Sequence, residues 1–154
     1  MKIMDFLSKK AVTVDLKATD KKGIIKELVD LISNVNVIKN KDQLIKALMV
    51  REALGSTGIG QNIGIPHAKS NSVEKLTAAF GVSRSGVNFD SLDGEPAQIF
   101  FLLVAPEDSA GPHLKALASI SRILKDKYVR EALKNARSEK EVLAIMKDED
   151  DKML

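Results

Sequence analysis

Cysteine is absent from the 154 residues. Disulfides, thiolate catalysis and zinc–thiolate sites are therefore excluded. No run of about 18 apolar residues occurs, so no transmembrane helix and no direct membrane insertion is expected. The opening stretch, M-K-I-M-D-F-L-S-K-K, holds too short an apolar run for a secretory signal. Together these absences point to a cytoplasmic protein. The net charge is only +3, and the lysines are mixed with acids. Without a basic block interleaved with aromatics, a nucleic-acid surface has little support. Several catalytic signatures are missing as well. There is no P-loop, no G-x-G-x-x-G opening a helix, and no G-x-S-x-G elbow. Neither H-x-x-x-H nor H-x-x-E spacing occurs, so neither histidine belongs to a helical metal motif.

What remains is a chain long enough for a sizeable core. No repeat, low-complexity linker or interior boundary divides it, so one domain is expected over residues 1–154, with an acidic tail from Asp148 that frays. A short helical turn and a strand over Val12–Leu16 are expected first. Thr19 or Asp20 can cap the next helix, whose stripe is Ile24, Ile25, Leu28, Leu31 and Ile32. Asn40 caps a second helix, with Gln43 completing a capping-box pattern, and Gly55 follows its end. Leu76–Ser83 reads as a strand and Gly86–Asp93 as a hairpin or loop. The run Ala97–Ala105 is nearly all apolar, which suits a central strand covered on both faces. Pro112 is placed at the first position of a further helix, and two helices follow near Lys127–Asn135 and Ser138–Lys147, the last opening on a Ser138–Glu141 capping-box pattern. Strands mixed with helices predict an α/β (α+β) layered domain: a mixed, roughly five-stranded sheet flanked by helices.

The chain is organised around residues 57–69, T-G-I-G-Q-N-I-G-I-P-H-A-K. Glycines alternate with isoleucines and allow tight turning or close approach. Pro66 has no amide donor and holds its predecessor extended. A short, stiff segment of this kind presents His67 in a set direction. The other histidine, His113, falls in the first turn of a helix, where free amides and the positive dipole end collect. Arg51 continues the apolar stripe of the second helix; it either snorkels outward, meets an anion, or satisfies carbonyls of the last turn.

Two histidines and an arginine suit phosphoryl transfer, which needs an in-line nucleophile and cations or donors around the equatorial oxygens. A neutral imidazole has a free lone pair at pH 7. His67 would attack, with His113 and Arg51 stabilising the transferred group. Its other ring nitrogen would be held by an acceptor that the sequence does not identify. No cofactor and no metal are called for. Rival readings are a surface histidine of no special role and a small-ligand or metal site built on the two histidines.

The segment G-S-T-G-I-G-Q-N-I-G-I-P-H-A-K, preceded by R-E at 51–52, resembles the phosphohistidine motif of the fructose/mannitol-type (type 2) enzyme IIA domain. That domain belongs to the bacterial phosphoenolpyruvate-dependent phosphotransferase system. L-D-G-E-P-A-Q-I-F-F-L-L-V-A-P and H-L-K-A-L-A-S-I-S-R-I-L resemble it too, so the likeness covers roughly residues 3–147. The resemblance implies a phosphotransferase whose His67 accepts a phosphoryl group from the phosphocarrier protein HPr, or an HPr-like protein, and passes it to a IIB domain. His113 would contact the phosphoryl group and Arg51 would share the pocket. Gln61 falls where some members carry a polar or acidic pocket residue. Thr57, Ile59 and Ile63 are further binding positions, the isoleucines as an apolar docking rim. Many members have glycine after the histidine, where this chain has Ala68. Many fructose and mannitol IIA domains are fused to IIB or membrane IIC domains, and here the IIA pattern stands alone. A free-standing chain also resembles the nitrogen-regulatory branch, in which phosphorylation gates a regulatory target protein instead of feeding sugar transport.

Overall fold

The structure, a computed structural model, describes residues 1–152. A short 3-10 turn at Ile3–Asp5 leads into β1 (Leu7–Thr13). Two helices follow, α1 (Lys21–Ser33) and α2 (Lys41–Leu54). The glycine-rich segment then forms three short strands, β2 (Gly58–Gly60), β3 (Ile63–Gly64) and β4 (His67–Lys69). Two long strands, β5 (Thr77–Val87) and β6 (Ala97–Ala105), precede α3 (Ala110–Leu124), α4 (Lys127–Lys134) and α5 (Glu139–Asp151).

Among the described residues the sheet has six strands, ordered β1-β5-β6-β3-β2, with β4 also pairing β6. β5 and β6 run antiparallel, while β1 pairs β5 in parallel and β3 and β4 pair β6 in parallel. β3 and β4 are two pieces of one broken strand laid along β6: Ile63 stands beside Ile99, Gly64 beside Phe100, and His67 beside Leu103. The break falls at Ile65-Pro66, because proline has no N–H for a ladder. The Pro66 carbonyl still accepts from the Leu103 N–H at 3.0 Å.

Alternation along β6 sends Ile99, Phe101 and Leu103 to one face and Phe100, Leu102 and Val104 to the other. The first face packs under α3, α4 and α5 through Ile120, Ile123, Leu133, Val142 and Met146. The second packs under α1 and α2 through Ile24, Leu28, Leu44 and Leu48. Edge-to-face phenyl pairs sit in both layers, Phe80–Phe101 at 5.1 Å and Phe89–Phe100 at 5.2 Å between centroids.

The expected caps form. Asp20 accepts from the Gly23 N–H at 2.8 Å, Asn40 from Gln43 at 3.0 Å, and Ser138 from Glu141 at 3.2 Å. Gln43 does not complete the capping box: its side-chain oxygen accepts from the Ser72 hydroxyl instead. The first strand runs Leu7–Thr13, not Val12–Leu16. Five steps on β1, from Leu7 to Val12, oppose two on β5, from Ala78 to Phe80. That bulge breaks the period-2 signal, so buried Val14 and Leu16 beyond it look like strand. α3 starts at Ala110, so Pro112 is its third residue, where no intrahelical N–H is needed; the first helical bond is His113 N–H to Ser109 at 3.0 Å. The acidic tail does not fray at Asp148. Helix α5 continues to Asp151, and buried Asp150 accepts from the N–H groups of Ile3 (2.7 Å) and Met4 (2.9 Å). The last two positions of that expectation, 153–154, lie outside the described residues.

Candidate functional site

The C-terminus of α2, the broken strand and the start of α3 meet at one end of the sheet. The Ile65-Pro66 break decides how His67 is set. Proline keeps Ile65 extended, and the Ile65 carbonyl accepts from His67 Nδ1 at 2.7 Å. A carbonyl can only accept, so Nδ1 carries the proton and Nε2 keeps its lone pair. His67 is half-buried and opens β4.

His113 faces it from α3, with the two ring centroids 5.6 Å apart and the planes inclined at 47°. It is 8 % exposed, and its Nε2 has no hydrogen-bond partner among the described residues. A buried orphan polar atom is unusual and calls for a ligand or water. Burial pushes the His67 imidazole below its usual value; the Ile65 bond opposes the fall, the Arg51 charge adds to it, and the Glu52 charge opposes it. His113 is lowered to about 4, by burial first and then by the charges of His67 and Lys69. Both rings are therefore neutral at pH 7.

Arg51 donates from Nη1 to the Gly55 carbonyl at 2.8 Å. Of the three readings of this arginine, the carbonyl contact is realised, and the side chain also lines the cavity beside His67. A guanidinium has five N–H donors, so donors remain for an anion. The cavity is about 240 Å³, with Ser56, Ile59, Leu117 and Ser121 among its walls. Polar Arg51, Ser56, Thr57, His67 and Ser121 and apolar Ile59, Ile65 and Leu117 line it together, and His113 does not.

The remaining sequence-derived positions separate. Thr57 lines the cavity but is only 3 % exposed, with its hydroxyl and N–H both donated to Glu52. Ile59 is 45 % exposed at the rim. Ile63 is 1 % exposed and cannot form part of a docking rim. β3 lies between β2 and β6, so its isoleucine turns into the core under α3. Gln61 sits on the β2–β3 turn, where it and Asn62 adopt positive φ (56° and 65°). Its N–H is held by Asp93 at 3.0 Å, and it is not among the cavity walls. Sequence reasoning missed Glu52, Leu117 and Ser121. Leu117 and Ser121 follow His113 at four-residue steps on one helix face, a spacing that could have found them.

Among the described residues no three His, Asp or Glu side chains are grouped to hold a metal ion, and no helix is long and apolar enough to cross a membrane.

Residues 5–149 match the model of the family described as phosphoenolpyruvate-dependent sugar phosphotransferase system, EIIA 2. The chain is 35 % identical over 150 residues to the fructose-specific EIIABC component of Bacillus subtilis, covering 97 % of this chain and 24 % of that one. It thus spans about a quarter of that relative's length. To a nitrogen regulatory protein of Bradyrhizobium diazoefficiens it is 33 % identical over 146 residues, 95 % of each. The fold matches the crystal structure of nitrogen regulatory protein IIA-Ntr from Neisseria meningitidis with a TM-score of 0.85 and 33 % identity, covering 94 % and 98 % of the two chains. The match of nearly the whole chain to one family model, over a fold shared with IIA-Ntr, makes this protein a member of the type-2 EIIA family of the phosphoenolpyruvate-dependent phosphotransferase system.

Proposed function

We propose that the protein is a cytoplasmic phosphocarrier in which His67 is the phosphorylated nucleophile. Its donor is HPr or an HPr-like protein, and it passes the group to a IIB domain or uses it to signal. One observation carries the reading: His67 is held by Ile65 in the tautomer that leaves Nε2 free, and its ring centroid lies 5.6 Å from that of a second neutral imidazole. In the transfer, the Nε2 lone pair forms a bond to phosphorus as the donor's N–P bond breaks. The bonding pair returns to the donor ring. The positive charge that develops on His67 is held at Nδ1–H by the Ile65 carbonyl. The His113 imidazole and the free guanidinium donors of Arg51 stabilise charge spread over the phosphoryl oxygens. Neither metal nor nucleotide takes part.

Incubation with labelled phospho-HPr tests this. Label enters the wild type and His113→Ala, the latter slowly, and is absent from His67→Ala. Undiminished labelling of His67→Ala overturns the reading.

A second reading is favoured by the even coverage of the nitrogen regulatory relatives. Here phosphorylation adds about two negative charges and gates which protein partner binds, without sugar transport. Pull-downs with the wild type and a His67→Asp mimic separate the two. A partner set indifferent to phosphorylation state argues against gating.

A further inference from the structure

Phosphoryl transfer as described leaves one buried charge near the nucleophile without a role. Glu52 lies in the last turn of α2 and is 6 % exposed. Both circumstances oppose an acid there, since burial penalises its charge and the negative end of the helix dipole repels it. Two neighbours compensate. Lys21, at the start of α1, stands 3.1 Å from Oε1; the same ammonium lies 3.1 Å from Asp90 and 4.9 Å above the Phe89 ring. Thr57 donates its N–H to Oε1 at 3.1 Å and its hydroxyl to Oε2.

From Thr57 the contacts run on to the site. The Thr57 carbonyl accepts from the Ile65 N–H at 3.0 Å, and the Ile65 carbonyl accepts from His67 Nδ1–H at 2.7 Å. Each donor in the series His67, Ile65, Thr57 faces an acceptor one step nearer the carboxylate. Ile65 and Thr57 each commit both backbone groups to the series, so the placement of one residue fixes that of the next. We propose that Glu52 is a positioning residue for the nucleophile: by fixing Thr57 it places the Ile65 carbonyl where it holds the His67 ring in its Nδ1–H tautomer.

This role rests on the reading of His67 as the nucleophile, but its test does not need phosphorylation. The charged groups acting on the two rings are Arg51 and Glu52 from α2 and Lys69 from β4, with each histidine facing the other. Glu52 is the only acid in that set and the one that favours a proton on His67. The Lys21–Asp90 pair lies behind it.

The experiment uses the full chain, ¹⁵N-labelled and unphosphorylated, as wild type, Glu52→Gln and Thr57→Val. Long-range ¹H–¹⁵N spectra read the tautomer of His67 and its titration midpoint. The wild type shows the Nδ1–H tautomer. Glu52→Gln mixes the tautomers and moves the midpoint further down; Thr57→Val shifts both in the same direction by less. Phosphoryl uptake from phospho-HPr slows roughly 10- to 100-fold in Glu52→Gln, as expected for a loosened reacting group, with the KM for donor unchanged. Wild-type tautomer and midpoint in both variants overturn the proposal, and Thr57→Val alone decides if Glu52→Gln does not fold. A wild type that takes up no phosphoryl group sinks the phosphocarrier reading and leaves the tautomer result standing. Normal uptake with unmoved tautomers sinks the role of Glu52 alone.

Discussion

The two elements that carry the facing imidazoles, β4 and α3, hold them in opposite ways, and of the two rings only His67 lines the cavity that both elements wall. On the β4 wall, His67 is half-buried with one ring nitrogen tied to a backbone carbonyl two residues back. On the α3 wall, His113 is buried and its Nε2 touches no polar partner among the described residues. A nucleophile needs a fixed tautomer and one free lone pair, which the short tie to Ile65 gives. A group that stabilises a transient anion needs an unspent N–H donor, and the unpartnered Nε2 supplies one in its Nε2–H tautomer. Identical side chains are thus given different hydrogen-bonding states by one backbone contact and by burial.

The largest effect should come from breaking the β4 wall. His67→Ala is expected to lose phosphoryl uptake from phospho-HPr altogether, read as absent label at any time. Next comes the α3 wall: His113→Ala should keep the label on His67 but accept it roughly 10²- to 10³-fold more slowly, the scale for removing one preorganised donor. Equal and complete loss in both variants would erase the distinction between the walls.

Acid sharpens the contrast by a smaller amount. His113 has its folded value lowered to about 4, below the value of 6.5 for an unperturbed histidine. Between those limits the unfolded chain binds the proton more readily, so stability is full above about pH 6.5 and declines as pH falls toward about 4. The loss is on the order of 2–3 kcal/mol, from a shift of 6.5 − 4 = 2.5 at about 1.4 kcal/mol per unit, reduced for the response of the site. Denaturant titrations at pH 7 and pH 4.5 should show it, and a folded His113→Gln variant should show less. The smallest effect belongs to neither wall. Asp150→Ala removes the acceptor of two backbone N–H groups far along the chain from the site. It should lower stability by about 1–3 kcal/mol and leave the phosphoryl uptake rate unchanged, separating damage to the fold from damage to the walls.

Local signals in the sequence were reliable where one residue type answers one backbone need. Asp20, Asn40 and Ser138 cap helices because helix N-terminal amides lack partners, and Ala97–Ala105 is a strand over its full length because both its faces are covered. The pairing of His67 with His113 was legible through a family pattern, since no local rule brings residues 46 positions apart together. What escaped was set by distant partners. The β1 bulge depends on β5, the burial of Ile63 on β3 lying inside the sheet, and the order of residues 148–151 on amides at the other end of the chain. Glu52 escaped because an exposed acid beside an arginine and a buried one paired with Lys21 look the same in sequence.

The broken strand that carries His67 is stitched to β6, which has hydrogen-bonded neighbours along both edges and helices over both faces. Backbone of that kind is among the last to exchange its amide hydrogens, because opening it approaches global unfolding. β4 pairs only with β6 among the described residues, so the His67 ring sits where this protected centre of the sheet meets its edge. On the phosphocarrier reading proposed above, partners arrive and leave while the imidazole stays tied to the sheet through Ile65.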